Sequence, residues 1–496
     1  MTVVSVDHRS RGEVIALPNT VQSCGGPGYV ANATNDFCRI VVNVSTTDSS
    51  SIRIEGWLPD DWNGRFVASG TGGIGGCIDY GQVQNGAQLG FASFGTNAGH
   101  DGQAGFDFFL GHPEVLNDFG HRGIHVEAEV GKQIAAQYYG RPARKHYYQG
   151  CSSGGKQGLQ TARLYPGDFD GILVGAPGVD WLRVVSSKGI LARRIGWPDI
   201  NSTAYVRPEQ WPAIVAKQVE LLDPLDGVTD GIIDDPTKYD FDPAILACGT
   251  GLLNSSTCLR PQQIASVRAA YQPVADSEGR IVYPSFHLGA ATDVFSDNQK
   301  DGAAELSYTI IQDFWRGAVY NDTNWTPDNF SIADVEYALK VNPGGVNAAE
   351  ADLSEFHAKG GKILSYHGRN DQMVTSKLTT EYYSRIQEAL NLSTEDMHSF
   401  DRLFFVPGMQ HCSGGSGAYH LGQSYPLDAD RLNPRENMLL ALVDWVENDN
   451  APSAVVGSKY AGDDVTQPVI AQRTVGIKFE NIVVQKDVIV DYSSFQ

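Results

Sequence analysis

The sequence predicts an α/β fold in which a large segment is inserted between two strands. Short runs at 145–149, 172–174 and 361–368 are predicted to be strands, and helical patterns lie beside them. The first of these runs leads into Gly-x-Ser-x-Gly at 150–154, a turn that joins a strand to a helix. Between about 180 and 355 the regular alternation gives way to a region rich in Pro, Asn, Asp and Trp.

The remaining elements follow from local signals along the chain. A Trp-Asn-Gly turn at 62–64 separates two early strands, and Gly140 and Pro166 each end a helix. Near the C-terminus, Asn433 is predicted to cap a helix that has Pro434 in its first turn. The further predicted strands are 52–55, 65–68 and 402–406, and the predicted helices are 124–139, about 155–165 and about 434–447.

These elements predict two structural units. The segments 1–179 and 356–496 form the domain that contains the sheet, and 180–355 forms a lid domain inserted into it. The chain has 496 residues, which is long enough for two hydrophobic cores.

The composition is that of a globular protein with a strongly acidic surface. The chain is 42% hydrophobic and 19% charged, and its formal net charge is −21. Such a surface repels nucleic acid and anionic membranes, so neither is expected as a partner. No apolar run is long enough to span a membrane. The sequence does not indicate an oligomeric state.

Several features predict a secreted glycoprotein. The first residues are too few and too polar for a signal peptide, so we interpret the sequence as a mature chain whose signal peptide has been removed. Asn-x-Ser/Thr sequons, the acceptors of N-linked glycans in secreted proteins, are frequent. They begin at Asn32, Asn43, Asn201, Asn254, Asn321, Asn324, Asn329 and Asn391.

A serine and a histidine are each adjacent to a cysteine. Ser152 follows Cys151 in the Gly-x-Ser-x-Gly turn, and His411 precedes Cys412. If the two cysteines form a disulfide, their Cα atoms lie about 5.5–6 Å apart and the serine and histidine come within side-chain reach. A serine hydroxyl becomes an effective nucleophile when a neighbouring imidazole takes its proton. The pattern therefore predicts a serine hydrolase.

The histidine base needs a carboxylate that fixes its tautomer. Asp371, just past the predicted strand at 361–368, is the first candidate, and Asp401 and Asp396 are its substitutes. The resulting order of serine, aspartate and histidine along the chain is that of the α/β-hydrolase fold. We therefore predict an α/β-hydrolase fold with a large inserted lid domain.

The oxyanion formed during acyl transfer needs two backbone N–H donors. Ser153, the residue after the nucleophile, is expected to supply one. The other is expected from the glycine-rich loop at 70–76, because glycine allows the backbone to approach a substrate closely.

Five segments that cover most of the chain carry a family pattern. They are WNGRF at 62–66, GGIGGCIDY at 72–80, GCSSGG at 150–155, DGVTDGI at 226–232 and VPGMQHCSGG at 406–415. Together they resemble tannases and feruloyl esterases, fungal feruloyl esterase B in particular, and the related mono(hydroxyethyl) terephthalate hydrolase. The resemblance implies that Ser152, Asp371 and His411 form the triad and that Gly73 is the second oxyanion donor. It also implies the bridging disulfide Cys151–Cys412.

The resemblance further implies a structural calcium site in the lid. Carboxylates and backbone carbonyls at alternating positions of a tight loop suit the hard Ca²⁺ ion. Leu222 stands where the family usually has a cysteine that braces this loop, so that disulfide is predicted to be absent. The residues that match the calcium pattern are Asp223, Asp226, Val228, Asp230 and Ile232.

By the same resemblance, two further disulfides are expected. Cys24 would pair with Cys77 near the N-terminus, and Cys248 would pair with Cys258 in the lid. Cys38 is then left without a partner, which is unusual in a secreted protein.

The triad predicts ester hydrolysis but leaves the ester open. The resemblance favours feruloyl or other hydroxycinnamoyl esters of the plant wall, followed by galloyl esters and then terephthalate monoesters. Lid aromatics could stack on a phenolic acyl group, and Arg316 could bind a hydroxyl or carboxylate. The lid aromatics are Trp181, Trp197, Trp211, Phe314, Trp315, Tyr320 and Trp325.

Two functions of other classes remain open at this point. A secreted serine peptidase would use the same triad beneath a lid. A binding module that has kept the scaffold without catalysis is the other alternative, which the presence of all three triad residues disfavours.

Overall fold

The computed structural model describes residues 1–290 and 308–477. The rest of the predicted lid segment, 291–307, and the end of the predicted C-terminal segment, 478–496, lie outside the described residues. The strands are β1 Thr2–Arg9, β2 Val14–Ala16, β3 Val30–Asn32, β4 Phe37–Ser45, β5 Ser51–Pro59, β6 Arg65–Ser69, β7 Ala92–Thr96, β8 Lys145–Cys151, β9 Gly171–Gly175, β10 Val274–Ala275, β11 Ile281–Tyr283, β12 Lys362–Gly368, β13 Asp401–Val406, β14 Ala454–Tyr460 and β15 Val469–Gly476.

Helices lie on both sides of these strands and in the inserted segment. They are α1 Tyr80–Gln88, α2 Pro113–Asn117, α3 Gly123–Tyr139, α4 Ser153–Leu164, α5 Trp181–Arg194, α6 Gln210–Leu222, α7 Pro261–Ala270, α8 Ile310–Phe314, α9 Ile332–Val341, α10 Ser354–Ala358, α11 Ser376–Ala389, α12 Thr394–Phe400 and α13 Met438–Asn448. No helix of the described part is long and apolar enough to cross a membrane.

A mixed sheet forms the centre of the molecule. Within the described residues it has nine strands in the order β1-β4-β5-β7-β6-β8-β9-β12-β13. The pairs from β7-β6 to β12-β13 are parallel, and the three pairs that join β1, β4, β5 and β7 are antiparallel. This mixed sheet, with helices on both faces, is the predicted α/β-hydrolase fold.

The central strands are apolar on both faces because helices cover both sides of the sheet. One face packs on α3, α4 and α11, whereas the other packs on α13. Residues in the predicted strands, such as Val67, Tyr147 and Leu173, are at most 1% exposed. The loops that leave the C-terminal ends of β6, β8, β12 and β13 are therefore held by a rigid frame.

The inserted segment leaves the sheet after β9 and returns at β12, its parallel neighbour. Its hydrophobic core includes Trp211, Phe314 and Trp315, all fully buried, and is continuous with Phe109 and Phe119 of the first segment. This core continues to Val374 and Leu378, which follow β12, so the lid packs directly on the loop after that strand. The predicted bounds 180–355 stay a prediction.

The predicted start of the last helix is wrong. The helix begins at Met438, and its N-cap is Asn437, whose side chain accepts a hydrogen bond of 3.0 Å from the Leu440 N–H. Asn433 instead closes the preceding turn by accepting from the Arg435 N–H at 3.0 Å. Both asparagines are suitable caps, and the one adjacent to the apolar run Met-Leu-Leu is used because that run is buried.

Candidate active site

Ser152 lies in a strained turn between β8 and α4. Its φ is 61° and its ψ is −121°, a backbone conformation that non-glycine residues rarely adopt. Its N–H donates to the Gly175 carbonyl at 2.9 Å, which ties the turn to the end of β9. A Cβ atom at Gly150 would lie 2.8 Å from the carbonyl carbon of Gly154, so the turn needs glycine before the serine.

The disulfide Cys151–Cys412 joins this turn to the loop after β13. Its Cα atoms are 6.0 Å apart and its sequence separation is 261 residues. Ser152 and His411, the neighbours of the two cysteines, line the same cavity. No hydrogen bond joins the Ser152 hydroxyl to the His411 ring; in unliganded enzymes this contact often tightens only when substrate binds.

Asp371 lies beneath His411 and is fully buried. Its Oδ2 accepts a hydrogen bond of 2.8 Å from Nδ1 of His411, which leaves Nε2 of that ring facing away from the carboxylate. Its Oδ1 accepts from the backbone N–H groups of Met373 and Val374, both at 2.7 Å. Burial alone would raise the pKa of Asp371, but the hydrogen bonds and charges of His411 and His367 hold it well below its ordinary value.

His367 is a second histidine on the same carboxylate, and it is not among the site residues predicted from the sequence. Its Nε2 lies 3.1 Å from Asp371 Oδ2 and 2.8 Å from the Val374 carbonyl oxygen. A carbonyl can only accept, so Nε2 carries a proton, and Nδ1 is hydrogen-bonded to the Thr379 hydroxyl at 2.8 Å. The signal available in the sequence is its position on β12, four residues before the aspartate.

The two substitutes for Asp371 lie elsewhere. Asp401 is the first residue of β13, at the end of that strand remote from the serine turn, and its carboxylate accepts from the Ser365 hydroxyl at 3.1 Å. Asp396 is exposed on α12 and bonds the Ser393 hydroxyl at 2.6 Å. Of the three candidates, the structure brings Asp371 to His411.

Ser153 and Gly73 are also brought together. The Ser153 hydroxyl donates to the Gly73 carbonyl at 2.5 Å and accepts from Nε1 of Trp181 at 2.9 Å, so it joins the serine turn, the glycine-rich loop and the lid. Ser153 is the first residue of α4, and its backbone N–H therefore has no partner within the helix. Gly73 has a φ of +56°, which favours glycine at this position.

A cavity of about 380 Å³ lies over these groups. The lid contributes an apolar part of its lining, formed by Trp181, Val184, Val185, Tyr308 and Ile310. The remaining lid aromatics named from the sequence are not in the lining: they pack in or against the lid core. Those aromatics are Trp197, Trp211, Phe314, Trp315, Tyr320 and Trp325.

Arg316 does not line this cavity either. Its Nε donates to the Trp325 carbonyl at 2.6 Å, and its guanidinium lies over the Phe106 ring at 5.8 Å. Its role in the described structure is to pack the lid.

The sequence model of tannases and feruloyl esterases matches residues 38–476. The chain belongs to this family. Tannases and feruloyl esterases are carboxylic ester hydrolases, and the protein is an enzyme of that class.

Individual relatives agree with this assignment. A probable feruloyl esterase B-1 from Aspergillus flavus is 37% identical over 455 residues, which cover 92% of this chain and 84% of the relative. The crystal structure of an esterase from Aspergillus oryzae matches with a TM-score of 0.89 at 35% identity, covering 96% of this chain and 92% of that one. Feruloyl esterase B from Aspergillus oryzae matches with a TM-score of 0.87 at 33% identity over the same shares of the two chains.

Three disulfides connect the described residues of this family member. In addition to Cys151–Cys412, Cys24 pairs with Cys77 and Cys248 pairs with Cys258, as expected. Cys38 is a free thiol, buried on β4, and burial raises its pKa above the ordinary value.

The predicted calcium residues lie in one closed turn after α6. Asp223 is 3% exposed, and its two carboxylate oxygens accept from the N–H groups of Asp230 and Gly231 at 3.3 and 2.9 Å. Asp226 accepts from the Val228 N–H at 2.9 Å. Over residues 1–290 and 308–477, no group of three or more His, Cys, Asp or Glu side chains is arranged to hold a metal.

An arginine from β15 also reaches this turn. Arg473 donates to Asp230 at 2.9 Å and to Asp234 at 2.8 Å. Its side chain is 9% exposed, whereas those of Asp230 and Asp234 are 32% and 27% exposed, so both ion pairs are partly shielded from solvent. The turn is thereby attached to the hydrolase domain through β15.

Proposed function

We propose that the protein is a secreted feruloyl esterase that hydrolyses esters of hydroxycinnamic acids through an acyl-enzyme on Ser152. The observation that carries the proposal is the disulfide Cys151–Cys412, which fixes the neighbours Ser152 and His411 at one cavity above the buried Asp371. The family relationship and the relatives named feruloyl esterase B support the substrate class.

In the first half of the reaction, His411 takes the proton of the Ser152 hydroxyl as its oxygen attacks the ester carbonyl. Asp371 holds the ring through Nδ1, so Nε2 is the atom that receives the proton. Collapse of the tetrahedral intermediate breaks the ester C–O bond, and the imidazolium returns the proton to the departing alcohol. The acyl group remains on the serine oxygen.

The oxyanion of that intermediate would be stabilised by the N–H groups of Ser153 and Gly73. The 2.5 Å bond from the Ser153 hydroxyl to the Gly73 carbonyl supports this assignment, because it fixes the loop against the serine turn before substrate arrives. Pre-organised donors of this kind lower the barrier without a cost of reorientation during the reaction.

In the second half, a water replaces the alcohol. His411 takes a proton from the water, hydroxide adds to the acyl carbon, and the serine leaves with that proton. The products are the free acid and the regenerated enzyme. The same groups therefore act in both halves of the reaction.

The apolar part of the cavity is suited to bind an aromatic acyl group. Trp181 and Tyr308 offer ring faces, and Val184 and Ile310 offer aliphatic surface. Esters of gallic acid are the second candidate, because the family also contains tannases.

A substrate panel tests the proposal. Methyl ferulate, caffeate, p-coumarate and gallate and the terephthalate monoester are each supplied to the wild type and to Ser152→Ala. We expect turnover of the cinnamates, abolished by the substitution. Turnover of gallate alone would identify a tannase instead, and cleavage of a peptide panel would identify a peptidase.

We infer that the enzyme is secreted. Its three disulfides support an oxidising compartment, and the sequons support glycosylation there. The asparagines of all eight sequons are exposed in the described residues.

We also infer that the turn at 223–232 binds a structural Ca²⁺. Its donors would be the carboxylates of Asp223, Asp226 and Asp230 and the carbonyls of Val228 and Ile232, all hard oxygen ligands. Asp223 supports this inference, because within the described residues this buried carboxylate has no cationic side chain as a partner. A bound ion would supply that missing positive charge.

A further inference from the structure

One part of the cavity lining is polar and takes no part in the proposed acyl transfer. Asp79, Gln82 and Ser424 all line the cavity that contains Ser152 and His411. We call these three residues the polar subsite. Asp79 and Gln82 belong to the start of α1, and Ser424 belongs to the loop that follows the His411 segment.

Asp79 is held in place at the cavity by the backbone. It is the N-cap of α1, where its Oδ1 accepts from the Gln82 N–H at 3.1 Å. Within the described part of the chain, no side chain donates to or pairs with its carboxylate. Asp79 is exposed, and it lines the cavity. The protein around the carboxylate displaces part of its hydration, which raises its pKa above the ordinary value.

Gln82 presents a second acceptor. Its side chain is 5% exposed, and its Nε2 donates to the Gln423 carbonyl at 3.3 Å. Its Oε1 is buried and has no hydrogen-bond donor among the described residues. A buried acceptor without a donor is costly, and a hydrogen bond from a bound molecule would offset that cost.

Ser424 lies close to Asp79. A Cβ atom built on Gly81 would be 3.2 Å from Asp79 Oδ1 and 3.4 Å from Ser424 Oγ. The Asp79 carboxylate and the Ser424 hydroxyl therefore border one small space, which a methyl group on Gly81 would partly fill. Gln82 lines the same cavity. Such a set of acceptors suits hydroxyl groups.

We propose that the polar subsite recognises a hydroxyl group of the ester substrate and so determines specificity among esters that the triad can cleave. This inference rests on the proposed function. The hydroxyl could belong to the phenolic acid or to a sugar-like alcohol, and both would donate to the Asp79 carboxylate in the same way.

Three substrates distinguish a hydroxyl on the acid from a hydroxyl on the alcohol. Methyl cinnamate has no hydroxyl, methyl p-coumarate has one on the acid, and a glucose monoester of cinnamic acid has hydroxyls on the alcohol alone. The variant is Asp79→Asn, which retains a good N-cap and removes the anionic acceptor. Asp242→Asn, at an exposed cap elsewhere, is the matched control.

We expect Asp79→Asn to lower kcat/KM about ten- to a hundredfold on one hydroxylated substrate, the loss typical of a hydrogen bond to a charged group. Methyl cinnamate should change by no more than about twofold, and the control variant should behave as wild type. The substrate that loses activity identifies which half of the ester the subsite binds.

Gly81→Ala provides a second test that removes no polar group. Alanine is favoured over glycine inside a helix, so α1 should not be destabilised. Its methyl group would occupy the space between Asp79 and Ser424, and the same substrate should lose activity selectively.

An equal loss on all three substrates in Asp79→Asn would overturn the inference, because it would show that the carboxylate supports the catalytic machinery in general. Unchanged activity on both hydroxylated substrates would overturn it as well. A wild-type enzyme that hydrolyses none of the three would instead contradict the proposed function.

Discussion

Asp371 accepts hydrogen bonds from two histidines, and this arrangement explains how a buried carboxylate stays ionised. His411 lines the cavity, whereas His367 is fully buried and is not part of the cavity lining. His367 is therefore a positioning residue, which holds the carboxylate in the orientation that His411 needs.

We expect His367→Ala to lower kcat about ten- to a hundredfold, because it removes a hydrogen bond to a charged group. KM should change much less, since the residue does not reach the cavity. Steady-state kinetics on methyl ferulate, well below the unfolding temperature, measure both quantities. Thr379→Val, which removes the hydroxyl on the other ring nitrogen, should show a smaller loss in the same parameter. A rise in KM with unchanged kcat would contradict the positioning role.

Asp401 gives a prediction for stability against pH. Burial raises its pKa to about 7, although the hydrogen bond from the Ser365 hydroxyl acts to lower it. The folded state therefore binds a proton that the unfolded state releases near pH 4, so this residue stabilises the fold at low pH and loses that contribution as the pH rises through about 7.

Asp401→Asn imitates the protonated side chain and should remove this dependence. The expected gain in unfolding free energy at pH 8 is on the order of a few kcal/mol, with little change at pH 4. Thermal unfolding at the two pH values checks it. A destabilised variant at pH 8 would show that the ionised carboxylate is stabilising.

At the scale of the elements, the parts of the site that depend on local signals could be predicted from the sequence. The serine turn needs a strand, two glycines and a helix, all of which are visible in the residues around Ser152. His411 could be identified because a cysteine follows it. Asp371 is one of three candidate aspartates in the sequence. Which of them reaches His411 depends on burial and on strand register, and neither can be determined from the sequence alone.

Other features depend on contacts between distant segments, and these could not be predicted. Asp79 belongs to one of the family segments in the sequence. Its position in the cavity wall, however, depends on how α1 packs against the loop that contains Ser424. The seven lid aromatics named from the sequence look alike there, yet of these seven Trp181 lines the cavity, because it begins α5 and donates to the Ser153 hydroxyl.

Removal of a bound metal should destabilise the turn after α6. We expect an excess of chelator to lower the melting temperature by several degrees, since a bound ion stabilises the folded state by mass action. Readdition of Ca²⁺ should restore it, and Asp226→Asn should reduce the effect. Identical unfolding curves with and without chelator would contradict a calcium site at 223–232.

At the scale of the whole molecule, the catalytic residues come from segments far apart in the chain, on three loops of one sheet. The disulfide Cys151–Cys412 connects two of these loops across 261 residues. The frame of parallel strands places the loops on one side, and the disulfide fixes the distance between the serine and the histidine.

We expect Cys151→Ala combined with Cys412→Ala to lower kcat at least about a hundredfold, because small misplacements of catalytic groups are that costly. The matched control is Cys248→Ala combined with Cys258→Ala, which removes the lid disulfide and should leave kcat near the wild-type value. Both variants are compared below their melting temperatures. Equal losses in the two variants would show that the bridge contributes only to stability.

The most direct test of the central claim is detection of the acyl-enzyme. The protein is mixed with methyl ferulate, quenched in acid during turnover, digested and analysed by mass spectrometry. We predict a feruloyl group on the peptide that contains Ser152, and none in Ser152→Ala. Turnover of the ester by the wild type together with a feruloyl group on another residue, or continued turnover in Ser152→Ala, would contradict the account.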